Sequence, residues 1–313
     1  MRYLLTWWSW LYILATLAIL LVIATILPLI RAPKKRWAGI MSGVALFGLL
    51  ILLEGLIEPH QIIVRRDTID IDTPRPFTIA LISDMQTSPL KRASFVERVV
   101  NTVLAEQPDA VFYAGDFVNN ELPLTDELPH LAPLARLAAA LPFIGVSGNH
   151  EYGIGNPAMP ALHPDVHEAV GDALKQWGLT YLQNELTVVR DKNGRPLFEV
   201  FGFDDLWSKE FVQPTLPPKT NLPRFALAHN PDAVYMVDKT TADMVVSAHT
   251  HGGQIRLPFI GAFVSVSTRL PLKFYKGFSM QDGMPLYVTS GLGESGPPVR
   301  LFNLPEVVIL HIQ

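Results

Sequence analysis

The chain has 313 residues, 49% of them hydrophobic, a formal charge of -4 and no cysteine. The length suits one large domain or two small ones, and the hydrophobic share is high for a purely soluble protein. The charge, with no basic run beyond one short loop, offers nothing to a nucleic-acid backbone, so no nucleic-acid partner is expected; the lack of cysteine removes disulfides and thiolate metal ligands together.

The apolar excess is local. Residues 4–30 and 38–57 are nearly uncharged and dense in Leu, Ile, Val, Ala and Trp. Each run can cross a hydrocarbon core of about 30 Å at about 1.5 Å per residue. The first is too long for the apolar core of a signal peptide and lacks a small-residue cleavage pattern. Pro28 sits near its end, where a helix breaks. Trp7, Trp8, Trp10 and Tyr12 crowd its start, as amphipathic rings do at a membrane interface. Residues 1–57 are therefore expected to form a two-helix transmembrane hairpin, a multi-pass anchor in the cytoplasmic membrane. Arg31, Lys34, Lys35 and Arg36 between the spans mark a cytoplasmic loop, which puts the rest of the chain on the periplasmic or extracellular side. Arg65 and Arg66 weigh the other way but are fewer.

Residues 58–76 read as a linker and first edge strand, in which Pro59, Pro74 and Pro76 resist regular structure. From 77 to 313 short apolar runs alternate with helical patterns, the mark of an α/β domain with buried strands. Strands are predicted at Phe77 to Ile82, Ala110 to Tyr113, Phe143 to Val146, Phe225 to Ala228, Met244 to Ser247, Leu286 to Thr289 and Val307 to Ile312. Asn193-Gly194 between Leu186 to Val189 and Leu197 to Phe201 predicts a hairpin. Helices are predicted at Ala93 to Glu106, closed by Pro108, and at Asp165 to Trp177, closed by Gly178.

Polar clusters follow several of these apolar runs: Asp84-Met85-Gln86, Gly115-Asp116-Phe117-Val118-Asn119, Gly148-Asn149-His150-Glu151, His229-Asn230 and His249-Thr250-His251-Gly252-Gly253. Each has an ordinary reading by itself. Gly115-Asp116 fits an Asx-turn, Asn149 a cap, and His249 with His251 a pair on one side of an extended chain. In an open α/β sheet, however, ligands bind at the carboxyl ends of the strands, so the clusters can converge. Asp, Asn and several His without Cys suit a two-metal site for hydrolysis at phosphorus, with cations about 3.5 to 4 Å apart. A histidine beside such a pair can contact a phosphate oxygen or protonate the leaving oxygen.

These residues resemble the calcineurin-like metallophosphoesterase family, whose motifs are Asp-x-His, Gly-Asp-x-x-Asp/Asn, Gly-Asn-His-Glu/Asp, a lone His and Gly-His-x-His. The resemblance covers roughly residues 77 to 313. Ala228-His229-Asn230-Pro231-Asp232, His249-Thr250-His251-Gly252-Gly253-Gln254 and Gly291-Leu292-Gly293 look most like its membrane-associated bacterial branch. It implies a two-sheet β-sandwich flanked by helices and two divalent metal ions. Asp84, Gln86, Asp116 and His251 would surround one metal; Asp116 would bridge to a second held by Asn149, His229 and His249; His150 would be the general acid. A hydroxide bridging the metals would attack a phosphate mono- or diester. The sequence departs from the motifs at Ala248, in place of glycine, and at Gln86, in place of a ligand histidine. A neutral amide oxygen favours Mn²⁺ or Mg²⁺ over Zn²⁺ or iron, so Mn²⁺ is the expected metal.

Arg300, after Gly296-Pro297-Pro298, is a weaker candidate for a substrate phosphate, against a surface salt bridge. Leu257-Pro258-Phe259-Ile260-Gly261-Ala262-Phe263 reads as a strand and turn, or as an apolar lip that meets lipid. His60, His130, His163, His167 and His311 match no motif. The leading expectation is a membrane-anchored metal-dependent phosphoesterase whose substrate is lipid or cell-envelope linked. Two alternatives stand beside it. One is a UDP-diacylglucosamine-type pyrophosphohydrolase of lipid A synthesis, which needs a cytoplasmic domain; the other is a metal-binding membrane scaffold that lost activity with the histidine at 86.

Overall fold

The computed structural model describes residues 2–31, 35–209, 211–262 and 265–313. Lys34 of the basic loop and Phe263 of the apolar lip lie outside them, as do the side chains of Trp7, Trp8, Arg31 and Lys35. Two helices open the chain, α1 (Arg2–Arg31) and α2 (Lys35–Ile57), and pack on one another. α1 runs past Pro28 to Arg31, where a proline so near the end removes little hydrogen bonding. Ser9–Ile30 and Arg36–His60 are long and apolar enough to cross a membrane. No residue in the most apolar window of Ser9–Ile30 is buried, and large side chains such as Ile19, Leu29, Val44 and Phe47 point outward. A helix apolar all round needs an apolar environment, which makes both helices candidate spans.

The rest of the chain builds two six-stranded sheets face to face. The first has the order β1 (Ile63–Ile69), β14 (Glu306–Ile312), β2 (Phe77–Ile82), β3 (Ala110–Ala114), β4 (Phe143–Val146) and β5 (Thr180–Leu182). From β2 to β5 it is parallel; β14 runs antiparallel to β2, and β1 parallel to β14. The second has the order β12 (Gly277–Gln281), β13 (Met284–Val288), β9 (Met244–Ser247), β8 (Arg224–Leu227), β7 (Pro196–Gly202) and β6 (Glu185–Arg190). β6 and β7 form the hairpin predicted around Asn193-Gly194, and Gly194 takes a φ of 78° in its turn.

Between the sheets lies an apolar layer from both inner faces, including Ile79, Phe112, Val146, Phe198, Phe225 and Val246. Phe198 stacks on Phe77 with centroids 4.6 Å apart and meets Phe225 edge to face at 5.4 Å. Helices flank the outer face of the first sheet. α3 (Ala93–Glu106) buries Phe95, Val96, Val99, Val100 and Val103 at helical spacing. It ends on Gln107 in the left-handed conformation, one residue before Pro108. A later helix, His167–Gln176, starts two residues after Asp165, whose carboxylate accepts the His167 N–H at 3.1 Å. The outer face of the second sheet is covered by loops and 3-10 turns around Phe203, Ala233, Leu270 and Tyr275.

Each sheet carries a parallel core, β2-β3-β4 in one and β13-β9-β8-β7 in the other. Their carboxyl ends lead into the polar clusters, Asp84 after β2, Asp116 after β3, Asn149 after β4, His229 after β8 and His249 after β9.

Candidate metal centre

The polar clusters meet around Asp116. Its Oδ2 lies 3.2 Å from His229 Nε2, 3.2 Å from Gln86 Nε2 and 3.9 Å from His150 Nε2, while Oδ1 accepts the His150 N–H at 3.0 Å. Asn149 Oδ1 is 3.1 Å and His249 Nδ1 3.2 Å from His229 Nε2. On the other side His251 Nε2 is 3.7 Å from Asp84 Oδ1 and 3.4 Å from Gln86 Nε2. Ligand atoms of Asp84, Asp116 and His251 lie within 4.8 Å of one another, close enough to hold one metal ion. Asp84, Gln86, Asp116, Asn149, His229, His249 and His251 are all buried; His150 keeps 16% of its side chain exposed.

Loop backbone strain aims these groups. Asp84, Gln86, Asp116, His249 and His251 have φ between 45° and 67°, a region bulky residues rarely occupy. Such strain persists only where the surroundings impose it, and it gathers at functional sites. Two glycines make the room: a Cβ on Gly148 would stand 2.6 Å from the Asp116 nitrogen, and one on Gly291 2.8 Å from Asp84 Cγ. Ala248 is fully buried and keeps a negative φ, so the glycine of the family motif is not needed there.

Backbone carbonyls orient the imidazoles. Nδ1 of His229 faces Ala114 O at 2.7 Å, Nδ1 of His150 faces Asn119 O at 2.8 Å, and Nδ1 of His251 faces Gly293 O at 3.2 Å. A carbonyl only accepts, so each Nδ1 carries the proton and each Nε2 is presented to the cluster. Glu151 fastens two of the loops: its carboxylate accepts from the N–H groups of Asp116 (3.1 Å), Phe117 (2.8 Å), Val118 (3.1 Å) and Gly148 (2.8 Å). The motif contains Glu151, but its structural role is set by folding and is not readable from spacing.

Burial and crowding dominate the electrostatics. Burial, and then the charge of Asp116, push Asp84 up to about 7 against the pull of His229. Burial also opposes charge on His229, but Asp116 holds it up to about 10. Asp116 stays well below the usual carboxylate range because His229 and His150 outweigh its burial. Burial and the His229 charge take His249 well below 6.5; burial and Arg300 take His251 down to about 3. His150 stands above its ordinary value, since Asp116 and the Asn119 carbonyl outweigh burial. Burial and Asp116 push Glu151 up to about 8; all four of its partners are donors, however, which an ionised carboxylate satisfies best.

A cavity of about 260 Å³ opens on this cluster, lined by Asp116, Asn149, His150, His249 and His251, with Trp207, Ser265 to Ser267 and Ser295 at its sides. Trp207 meets His249 edge to face at 4.5 Å. Arg300 is not brought to this cavity. It is fully buried, with Nε on Glu294 (3.2 Å), Nη1 on Asn303 O (3.1 Å) and Nη2 on Ser290 O (2.9 Å) and Gly293 O (2.5 Å). It braces the Ser290 to Asn303 loop against which His251 rests.

Two facing sheets with a buried carboxylate, amide and imidazole cluster at their strand ends offer the donors that metal-dependent hydrolysis of phosphate esters needs. The family model for Calcineurin-like phosphoesterase matches residues 77–253, and the chain belongs to that family. It is therefore an enzyme that acts on phosphoric ester bonds, of a family that binds divalent metals. Phosphodiesterase YaeI of Escherichia coli (strain K12) is 30% identical over 244 residues, spanning 77% of this chain and 84% of that protein. A metallophosphoesterase of Aquifex aeolicus (strain VF5) is 29% identical over 271 residues, spanning 82% and 94%. The crystal structure of TT1561 of Thermus thermophilus covers 70% of this chain and 91% of its own, at 11% identity and a TM-score of 0.41.

Proposed function

We propose that this protein is a membrane-anchored, two-metal phosphodiesterase whose catalytic unit lies outside the cytoplasmic membrane. The convergence on Asp116 carries the reading. Asp84, Gln86, Asp116 and His251 would hold one divalent cation, and Asp116, Asn149, His229 and His249 the second. The donor set fits such ions: both Asp84 oxygens and Gln86 Oε1 are buried without a hydrogen-bond partner, and His249 turns Nδ1 toward the cluster, 3.2 Å from His229 Nε2. Orphaned polar atoms at this density are costly in a protein alone and are satisfied by cations. Half a turn of the Gln86 amide brings Oε1 to the side where Nε2 now meets Asp116 and His251. The neutral oxygen it would offer supports Mn²⁺ over Zn²⁺ or iron.

When bound, such cations supply a deprotonated water and neutralise charge on the phosphoryl oxygens. The residues do the rest. Asp116 lies between the two groups of ligands and would hold them together. His150, fixed by Asn119 O and reaching the cavity through Nε2, donates to a phosphoryl oxygen and gives its proton to the leaving oxygen. The raised affinity of His150 for a proton supports the acid role. The name of the Escherichia coli relative supports a diester substrate, and the two apolar helices support one held at the membrane.

The test is turnover of a soluble aryl phosphodiester with Mn²⁺. Asp116→Ala and His249→Ala should each abolish it, and parental rates in either variant would sink the mechanism. A tag on Gln313 accessible only from outside the cell supports the orientation; one accessible only from inside moves the enzyme to the cytoplasm.

A further inference from the structure

We infer that the tip of a small hairpin beside the cavity enters the same bilayer that receives α2, as a third lipid contact that sets the cavity mouth at the membrane surface. The inference rests on the anchored reading above. The hairpin is β10 (Arg256–Leu257) paired with β11 (Gly261–Ala262), joined by Pro258, Phe259 and Ile260. Phe259 is fully exposed and Ile260 is 70% exposed. Phe259 also takes a φ of 66°, which a bulky side chain rarely adopts. Strain that holds an aromatic ring out in water gains nothing there, and it is intelligible if the ring has another medium to enter.

The base of the hairpin is stitched to the end of the second span. Ile255 bridges to Leu301, and the Arg256 N–H donates to Leu301 O at 2.9 Å. One residue earlier, the Arg300 N–H donates to Gly55 O at 2.9 Å, and Gly55 lies within the last turn of α2. One residue later, the Phe302 N–H donates to the Glu58 carboxylate at 2.7 Å, with the Phe302 ring exposed. If α2 spans, residues 300 to 302 sit where it leaves the hydrocarbon, and a three-residue tip projecting from Arg256 and Leu257 is within reach of the interface. This continuity with the span selects lipid as the occupant. Residues 265 to 267, a few positions beyond β11, line the cavity. A phosphate ester in the headgroup plane would thus meet the site without leaving the membrane, so the favoured substrate class is the phosphodiester of a lipid.

The chain has no cysteine, so single labels can be placed cleanly. Full-length protein with Leu20→Cys, Phe259→Cys or Lys192→Cys, each carrying a nitroxide, is reconstituted in phosphatidylethanolamine and phosphatidylglycerol vesicles and probed with oxygen and a water-soluble nickel chelate. The expected result is lipid exposure at 20 and 259 and water exposure at 192. Lipid at 20 with water at 259 overturns the docking and leaves the anchor intact; water at 20 removes the anchor and the inference with it. In the same vesicles, Phe259→Ser with Ile260→Ser should lower turnover of embedded phosphatidylglycerol several-fold and leave that of a soluble aryl phosphodiester unchanged. An equal change in both rates, or in neither, contradicts the surface's role in presenting substrate.

Discussion

Glu58, just past the second apolar helix, accepts the backbone N–H of Asn303 at 3.0 Å, and the Asn303 side chain donates to the carbonyl of His251 at 2.6 Å. Two hydrogen bonds thus lead from the end of the candidate span to a proposed metal ligand. Lys91 strengthens the junction, donating to Pro59 O and to Leu292 O (3.1 Å) and pairing with Glu294 at 3.2 Å. The end of the second apolar helix and the loop that supports His251 are therefore packed together.

Glu58→Ala should loosen that loop. The change leaves the N–H groups of Asn303, buried, and Phe302, partly buried, without their charged acceptor, a loss of about 2 to 4 kcal/mol for bonds of this kind. Thermal unfolding of the metal-free protein should fall accordingly, and Mn²⁺ affinity should drop with it. Glu58→Gln, which keeps one acceptor oxygen, should recover part of both. Full affinity in Glu58→Ala would mean that the junction does not position His251.

Glu151→Gln replaces an acceptor-only group with one that turns an NH₂ toward four N–H donors. Residues that orient ligands in this way are worth about 10 to 100-fold in metal affinity. Titration of the variant with Mn²⁺ should show a loss in that range while the soluble fold persists. An unchanged binding curve would assign Glu151 a purely structural role.

Gln86→His exchanges a neutral oxygen for an imidazole at the position between Asp116 and His251. Zn²⁺ and Fe²⁺ binding should tighten more than Mn²⁺ binding. Identical affinities for all three metals in the variant and the parent would show that Gln86 is not a ligand.

Glu127 lies outside the proposed ligand set, although the charge of His150 reaches it, and gives a pH signature of its own. Burial pushes it up to about 7 from 4.5, although the N–H groups of Leu122 and Asn120 favour its charge. A carboxyl with a raised folded value contributes stability that is fully present below 4.5 and lost as pH rises through about 7. The loss is on the order of 3 kcal/mol. Between those limits, Glu127→Gln should flatten the fall in stability of the metal-free protein, as read by denaturant unfolding. A parental slope in the variant would remove Glu127 as its source.

Strands buried on both faces announce themselves as continuous apolar runs, and β2, β4 and β9 have the bounds that Phe77 to Ile82, Phe143 to Val146 and Met244 to Ser247 suggest. β12 does not, for a physical reason. Its inward residues are Gly277, Ser279 and Gln281, while Phe278 and Met280 point outward, so its apolar pattern marks the wrong face. β5 is three residues long and leaves little pattern to read. The polar clusters were legible because each interrupts or follows an apolar run. Their convergence depends on left-handed backbones at Asp84, Asp116 and His249, which no local composition dictates. Arg300 and Glu58 were opaque because their partners lie in loops joined only by tertiary packing. In sequence, a lone Arg after Gly-Pro-Pro reads as surface; in the fold it is the buried brace of the site.

The residues around Asp116 are proposed to hold two divalent ions. Equilibrium dialysis of the full-length, chelator-treated protein against Mn²⁺, with metal counted per chain, tests this directly. Two equivalents in the parent, with loss of both in Asp116→Ala, are the expected result. One equivalent or none in the parent, or two retained without Asp116, would rule out a two-metal site built on Asp116.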